Sequence, residues 1–454
     1  MELKISVLAL LLVIMQLVNA QENNELTDYS FHGKEIKVAN NKIPIPSSKQ
    51  LAFQELELGL FIHFGLSTYT GQSAGDGKQP ASMFNPTNLD CEQWMKVAKD
   101  MGATYVMLTA RHEGGMCLWP SETTDYCVKK SPWKNGQGDV IKEYVAAARK
   151  YGLKVGLYHS SWHDANQFNW HNENYFADKP DELEKFTRLE LQQLTELLSN
   201  YGDIDMMWFD HHGCPHAGAD QFWKRVNLLV GALQPNCMIF GPDYWINGGH
   251  AGGANYPLWY GANRGDETMH TRVVNDESKH GNPYGKFFVA WEANTPFSGN
   301  WFYNGPGVAS VETMVEKYYK TIGLGANFLP NFAPDKSGVM PPEVVKSAKE
   351  FGDELRKRFG QKIAGKSGKK EIILSLAKET NINNIVIMED VSKGQKVASF
   401  EIDAKKDGKW ETIYKGQTIG HKHIVPVELI TEELRFRCIK SLDDDVRIRE
   451  FTVY

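Results

Sequence analysis

Ile204-Asp205-Met206-Met207-Trp208-Phe209-Asp210 is the stretch on which the fold turns. A short apolar run reads as a buried strand, and a buried strand seldom ends on a carboxylate without a reason. A second such run, Phe287-Phe288-Val289-Ala290-Trp291, closes on Glu292. In a (β/α)8 barrel the C-terminal strand ends carry the chemistry. Either acid alone reads equally well as the cap of a following helix or the partner of a buried Arg. The two together match a retaining glycosidase, which needs a nucleophile and a proton donor with carboxyl groups about 5 Å apart.

Outward from these runs, short apolar segments alternate with longer amphipathic ones, the pattern of βα units around a parallel sheet. Strands are expected at 58–63, 105–109, 154–158, 204–209, 238–240, 258–260, 287–291 and 326–328. Helices are expected at 91–101 after Asp90, at 140–151 after Asp139 and at 181–201, stopped by Gly102, Gly152 and Gly202. Eight strands with helices between them predict a (β/α)8 TIM-like barrel over 51–360. A Gly-rich loop at 246–253 belongs at its mouth. After a helix at 342–359 the character changes. Residues 361–370 read as a flexible charged linker, and 371–454 as short alternating runs with turns at Lys393-Gly394 and Asp407-Gly408. That is the pattern of a small antiparallel β-sandwich.

The chain has 454 residues, 42% hydrophobic and 23% charged, so it is long enough for a barrel plus a smaller module. A net charge of −6 offers no basic footprint and argues against a nucleic-acid partner. Lys4, the apolar stretch 5–15 and Val18-Asn19-Ala20 make 1–20 a secretory leader, followed by a lead segment at 21–50. The protein is therefore expected to be exported, periplasmic or extracellular, with no membrane anchor. The six cysteines show no CxxC spacing, which argues against a zinc cluster.

Several strand ends carry polar groups: His63 after the first, Arg111-His112-Glu113 after the second, Tyr158-His159 at the third, Trp208 and Asp210 at the fourth, Glu292 at the seventh, with Trp301 close behind. Each has a structural reading of its own. Collectively they outline a polar, aromatic rim suited to a small polyhydroxylated ligand. His63, His112, His159, Asp210 and Glu292 could also ligate zinc, but HxH and HExxH spacings are absent, so the two-carboxylate chemistry ranks higher.

Taken in order, these segments resemble glycoside hydrolase family 29, the α-L-fucosidases, in its exported bacterial form. Phe61-Ile62-His63-Phe64-Gly65 resembles the family's FIHWG, and 105–121 resembles YVVLTAKHHDGFxLWPS. Gly156-Leu157-Tyr158-His159-Ser160 resembles GLYYS, and Trp208-Phe209-Asp210 resembles the WFD that carries the nucleophile. Gly325-Ala326-Asn327-Phe328-Leu329 with Pro334-Asp335 resembles GGNLLLNxxPDxxG. The resemblance implies an exo-acting retaining α-L-fucosidase without cofactor or metal. It implies Asp210 as nucleophile and Glu292, nine residues before Trp301, as acid/base; the residues between, 293–300, depart from that branch's usual filling. His63, His112, Glu113, Tyr158, Trp208 and Trp301 would hold the sugar. Glu113 stands where relatives carry a second His, which makes L-galactose, bearing a hydroxyl that fucose lacks, the alternative substrate. A non-catalytic carbohydrate-binding protein is the alternative of another class; retention of both acids argues against it.

Overall fold

Gly59–Ile62 (β1), Tyr105–Arg111 (β2), Lys154–His159 (β3), Met206–Phe209 (β4), Met238–Phe240 (β5), Glu292–Pro296 (β6) and Asn327–Asn331 (β7) form one parallel sheet. Its strand order is β5-β4-β3-β2-β1-β7-β6. Helices alternate with the strands: Cys91–Met101, Val140–Lys150, Pro180–Asn200, Ala219–Leu233, Val311–Lys320 and Pro342–Phe359. This is the barrel expected from the sequence, in a computed structural model that describes residues 43, 45–72, 75–160, 164, 166, 168, 176, 178–210, 219–240 and 290–454. The expected leader 1–20, most of the expected lead segment 21–50, the expected loop 246–253, the expected strand 258–260 and most of the run 287–291 lie outside the described residues. Among the described residues no helix is long and apolar enough to cross a membrane.

Helix limits follow their punctuation. Asp90 caps Cys91–Met101 by accepting from the Gln93 amide at 2.9 Å, and Gly102 closes that helix in the left-handed region at φ 91°. Asp139 caps Val140–Lys150 in the same way.

Strand alternation divides two cores. Phe61, Tyr105, Met107, Tyr158, Met206, Trp208, Met238, Phe240 and Leu329 fill the barrel interior. Leu60, Ile62, Val106, Leu108, Met207 and Phe209 face outward into the layer of helices. Gly59 shows how tight the interior is: a Cβ there would lie 2.4 Å from the Tyr105 ring, so the bare backbone is what lets that ring lie over it.

The second unit is a six-stranded antiparallel sheet, β11-β10-β12-β9-β13-β8, made of Ala364–Gly368 (β8), Glu371–Glu389 (β9), Val397–Lys406 (β10), Lys409–Gly416 (β11), His423–Ser441 (β12) and Ile448–Val453 (β13). Two expectations are corrected. The segment read as a linker contains β8, which pairs with β13 because alternating backbone bonds tolerate its Gly and Lys content at a sheet edge. The short runs expected after 371 begin instead with one long strand, β9, of 19 residues, whose polar middle hid its continuity. The sheet docks on the barrel through Val386, Met388 and Ile424, packed against Tyr318, Tyr319 and Phe359. His421 and Lys422 also reach Glu57, just before β1. Burial alone would raise the pKa of Glu57, but Lys422 and His421 bring it down to about 2.

Candidate active site

Three strands carry an aromatic residue at the same level of the barrel, Tyr158 opposite Trp208 and Trp208 opposite Phe240. Side chains in register on one face meet, and these rings stack. Trp208 lies on Phe240 at 4.3 Å and 6°, Tyr158 on Trp208 at 5.4 Å and 23°, and His112 on Tyr158 at 5.2 Å and 12°. The stack leads to Asp210, two residues beyond Trp208 and half-buried, whose Oδ2 accepts from the Tyr158 hydroxyl at 2.8 Å. Burial, and then the charge of Asp210, hold the Tyr158 phenol well above its usual range, so it stays a donor to that carboxylate.

His63 sits beside this stack, its ring 5.8 Å from that of Tyr158. Its ring centroid is 4.9 Å from Trp301, 5.3 Å from Phe302 and 5.7 Å from His112. Burial, then the neighbouring His112, lower its pKa to about 3, so the ring is neutral at any working pH. Glu113 is buried, and its charge weighs on the Tyr158 phenol.

Glu292 departs from expectation. Among the described residues it opens β6, paired with Asn327 at the start of β7. Its carboxyl therefore lies inside the barrel rather than on the rim. It is 0% exposed, accepting from Tyr105 Oη at 2.6 Å and from Trp208 Nε1 at 3.0 Å. Burial raises its pKa to about 7 against those two bonds, which lower it. One indole thus connects the two acids, packing beside the ring that binds Asp210 and donating to Glu292.

The α-L-fucosidase family model matches residues 76–358. The chain belongs to the α-L-fucosidase family. It is 32% identical to alpha-L-fucosidase 1 of Arabidopsis thaliana over 89% of this chain and 85% of that protein. A crystal structure of a putative α-L-fucosidase from Bacteroides thetaiotaomicron superposes with a TM-score of 0.76 at 31% identity, covering 91% of this chain and 99% of that one. A glycoside hydrolase 29 family member from an unknown rumen bacterium gives a TM-score of 0.74 at 30% identity, over 91% of this chain and 77% of that one. As a member of this family, the chain is a glycoside hydrolase.

Within that family frame the rim differs from the one expected at two further residues, Arg111 and His159. The pairing of β2 with β3 shifts register between Thr109 and Arg111. A bulge re-aims the side chains beyond it: Arg111 turns out to the helix layer and His112 turns in to Tyr158. Arg111 Nη1 donates to Glu190 Oε1 at 2.6 Å and Gln193 Oε1 at 2.7 Å, and Nη2 to the Ser160 carbonyl at 2.6 Å. His159, on the outward parity of β3, lies 3.6 Å from Glu190. Both are buried under helix Pro180–Asn200, away from the mouth. Three further residues escaped the sequence reading. Phe240 and Tyr105 looked like ordinary core, although Phe240 shares the register of Trp208. Asn331 closes β7 three residues beyond the expected end of that strand at 328, so no local signal marked it.

Proposed function

We propose that this protein is an exported, retaining exo-α-L-fucosidase. The observation that carries the reading is Asp210: a half-buried carboxylate just past the end of β4, held by the Tyr158 hydroxyl, in a mouth framed by His63, His112, Trp208 and Trp301. A hydroxyl donated to a carboxylate favours its anionic, nucleophilic form. Asp210 would attack the anomeric carbon while the bond from that carbon to the aglycone oxygen breaks and the oxygen takes a proton from Glu292. Water would then attack the same carbon, give its proton to Glu292 and release Asp210, with configuration retained. A donor must be protonated near working pH, and burial gives Glu292 that property. No cofactor enters either step. Lys4, the apolar stretch and Val18-Asn19-Ala20 support export, and the likeness to Bacteroides structures supports a bacterial setting.

The enclosure of Glu292 favours a second reading of that residue. Its two carboxyl oxygens face Tyr105 and Trp208, so it anchors the indole beside Tyr158, and the proton reaches the leaving group from elsewhere. The buried Glu113 beside Tyr158 likewise favours α-L-galactoside as the alternative substrate.

Hydrolysis of an aryl α-L-fucoside, followed by NMR of the first-formed sugar, tests the main reading. Early α-fucose supports retention and early β-fucose rejects it. Turnover of aryl α-L-galactoside with none of the fucoside would transfer the activity to the alternative sugar. A chain that binds fucose and hydrolyses neither would be a lectin-like barrel.

A further inference from the structure

We propose that Asn331 is a positioning residue that fixes His63 in the tautomer whose Nε2 accepts, so that the pocket reads one sugar hydroxyl as a hydrogen-bond donor; this rests on the fucosidase reading above. Asn331 is the last residue of β7 and shares the inward parity of Leu329. Its Nδ2 lies 2.8 Å from the Trp301 carbonyl oxygen and 3.4 Å from that of Asn300. Carbonyl oxygens only accept, so the amide nitrogen must face them, and that decides which way round the amide stands. Its Oδ1 is then the atom 2.7 Å from His63 Nδ1. An amide oxygen also only accepts, so Nδ1 must carry the hydrogen. A neutral imidazole has one N–H, and His63 is neutral because it is buried. Nε2 is left as a lone pair.

The consequence is directional. A ligand oxygen meeting Nε2 must supply the hydrogen, which a hydroxyl can do and an ether oxygen or a fluorine cannot. The same amide holds the backbone of Trp301, whose ring packs over His63. One side chain therefore sets two walls of the pocket, His63 by its oxygen and Trp301 by its nitrogen.

The test uses aryl α-L-fucosides in which the hydroxyls at C2, C3 and C4 are replaced in turn by hydrogen or fluorine. In the wild-type protein, one carbon should show losses of ~10-fold or more in kcat/KM for both replacements, since fluorine accepts but does not donate. Asn331→Asp places a carboxylate beside Nδ1 and favours the imidazolium, whose Nε2–H donates. At that same carbon the fluoro-to-deoxy ratio of kcat/KM should rise by ~5-fold over the wild-type ratio. The effect of fluorine on the developing positive charge cancels between the two proteins. A ratio unmoved at all three carbons would overturn the proposal. Should Asn331→Asp not fold, the tautomer is read directly in wild-type protein by ¹⁵N-histidine NMR, with His63 assigned through His63→Gln. Protonated Nδ1 supports the proposal and protonated Nε2 ends it. Wild-type protein that leaves the parent fucoside untouched would sink the fucosidase reading instead, and the NMR result would still judge Asn331.

Discussion

The Tyr158 hydroxyl donates to Asp210 Oδ2 across 2.8 Å from a ring held between His112 and Trp208. Rings on both faces leave the phenol little freedom, so it meets the carboxylate without ordering cost at the moment of reaction. Tyr158→Phe keeps the stack and deletes the bond. A hydrogen bond to a charged group contributes about 1.5–3 kcal/mol, so kcat/KM should fall roughly 10- to 100-fold. The melting temperature should change little. A variant that keeps full activity would remove Tyr158 from the support of the nucleophile.

Asp210→Ala should cost several orders of magnitude in kcat with the fold intact. Asp210→Gly should regain part of its activity on an activated aryl fucoside when azide is supplied, giving the β-glycosyl azide because the anion attacks from the vacated side. Retention of more than about a tenth of wild-type turnover, a barrier change under about 1.4 kcal/mol, would assign the nucleophile to another residue.

Glu292→Gln separates the two readings of that acid. If Glu292 donates the proton, substrates with poor leaving groups should suffer far more than aryl substrates. Activity that falls as pH rises through about 7 should lose that limb in the variant. If it anchors Trp208, the Gln amide oxygen still accepts from the indole, and both substrate types should respond alike. Stability gives an independent check with a definite sign. The folded pKa is raised, so the contribution is fully present below the unfolded value of 4.5 and is lost as pH rises through about 7. Thermal unfolding at pH 5 and pH 8 should therefore show a smaller drop for Glu292→Gln than for wild-type protein. Glu389, raised to about 8 by burial, acts in the same direction in both and cancels in the comparison.

Much of this architecture was legible because apolar period and helix punctuation are local. Asp90, Gly102 and the run before Asp210 mark their elements without help from distant residues. The depth of Glu292 in the barrel was not legible, because periodicity marks an apolar run and does not say at what level its residues pair with the partner strand. The level at which β7 begins decides that. Arg111 and His159 were misdirected for the same reason: one register shift in β2 and one step of strand parity send them under a helix. Asn331 was missed because its importance lies in contacts 30 and 268 residues away in the chain.

The cluster under helix Pro180–Asn200 makes a stability prediction. Arg111, Glu190 and Asp164 are fully buried, with Arg111 Nη1 2.6 Å from Glu190 and 3.5 Å from Asp164. Removing one partner of a buried ion pair leaves a charge uncompensated and costs about 3–5 kcal/mol. Arg111→Met should therefore lower stability by that amount in urea titration. Adding Glu190→Gln should recover part of the loss, because the amide needs no counter-charge. A double variant less stable than Arg111→Met by the full single-site cost of Glu190→Gln would show the two residues to be independent.

Glu113 bears on the choice of sugar. It is buried at 8% exposure, next to His112 and within electrostatic reach of the Tyr158 phenol. A carboxylate so placed accepts hydrogen bonds, whereas an imidazole can donate one. If it accepts from the C6 hydroxyl of L-galactose, the fucoside leaves it unpaired, and a site built for a hydroxyl rejects the analogue without it by up to about 10⁴. Glu113→His should then move the kcat/KM ratio of aryl α-L-fucoside to aryl α-L-galactoside toward fucose. We expect the wild-type protein to prefer fucose, because His63, His112, Tyr158 and Trp208 stand where the sequence resembles the α-L-fucosidase motifs. On that expectation Glu113→His lowers activity on both sugars and leaves their ratio unchanged. A ratio shifted at least 10-fold toward fucose, about 1.4 kcal/mol, would show that Glu113 reads the sixth carbon.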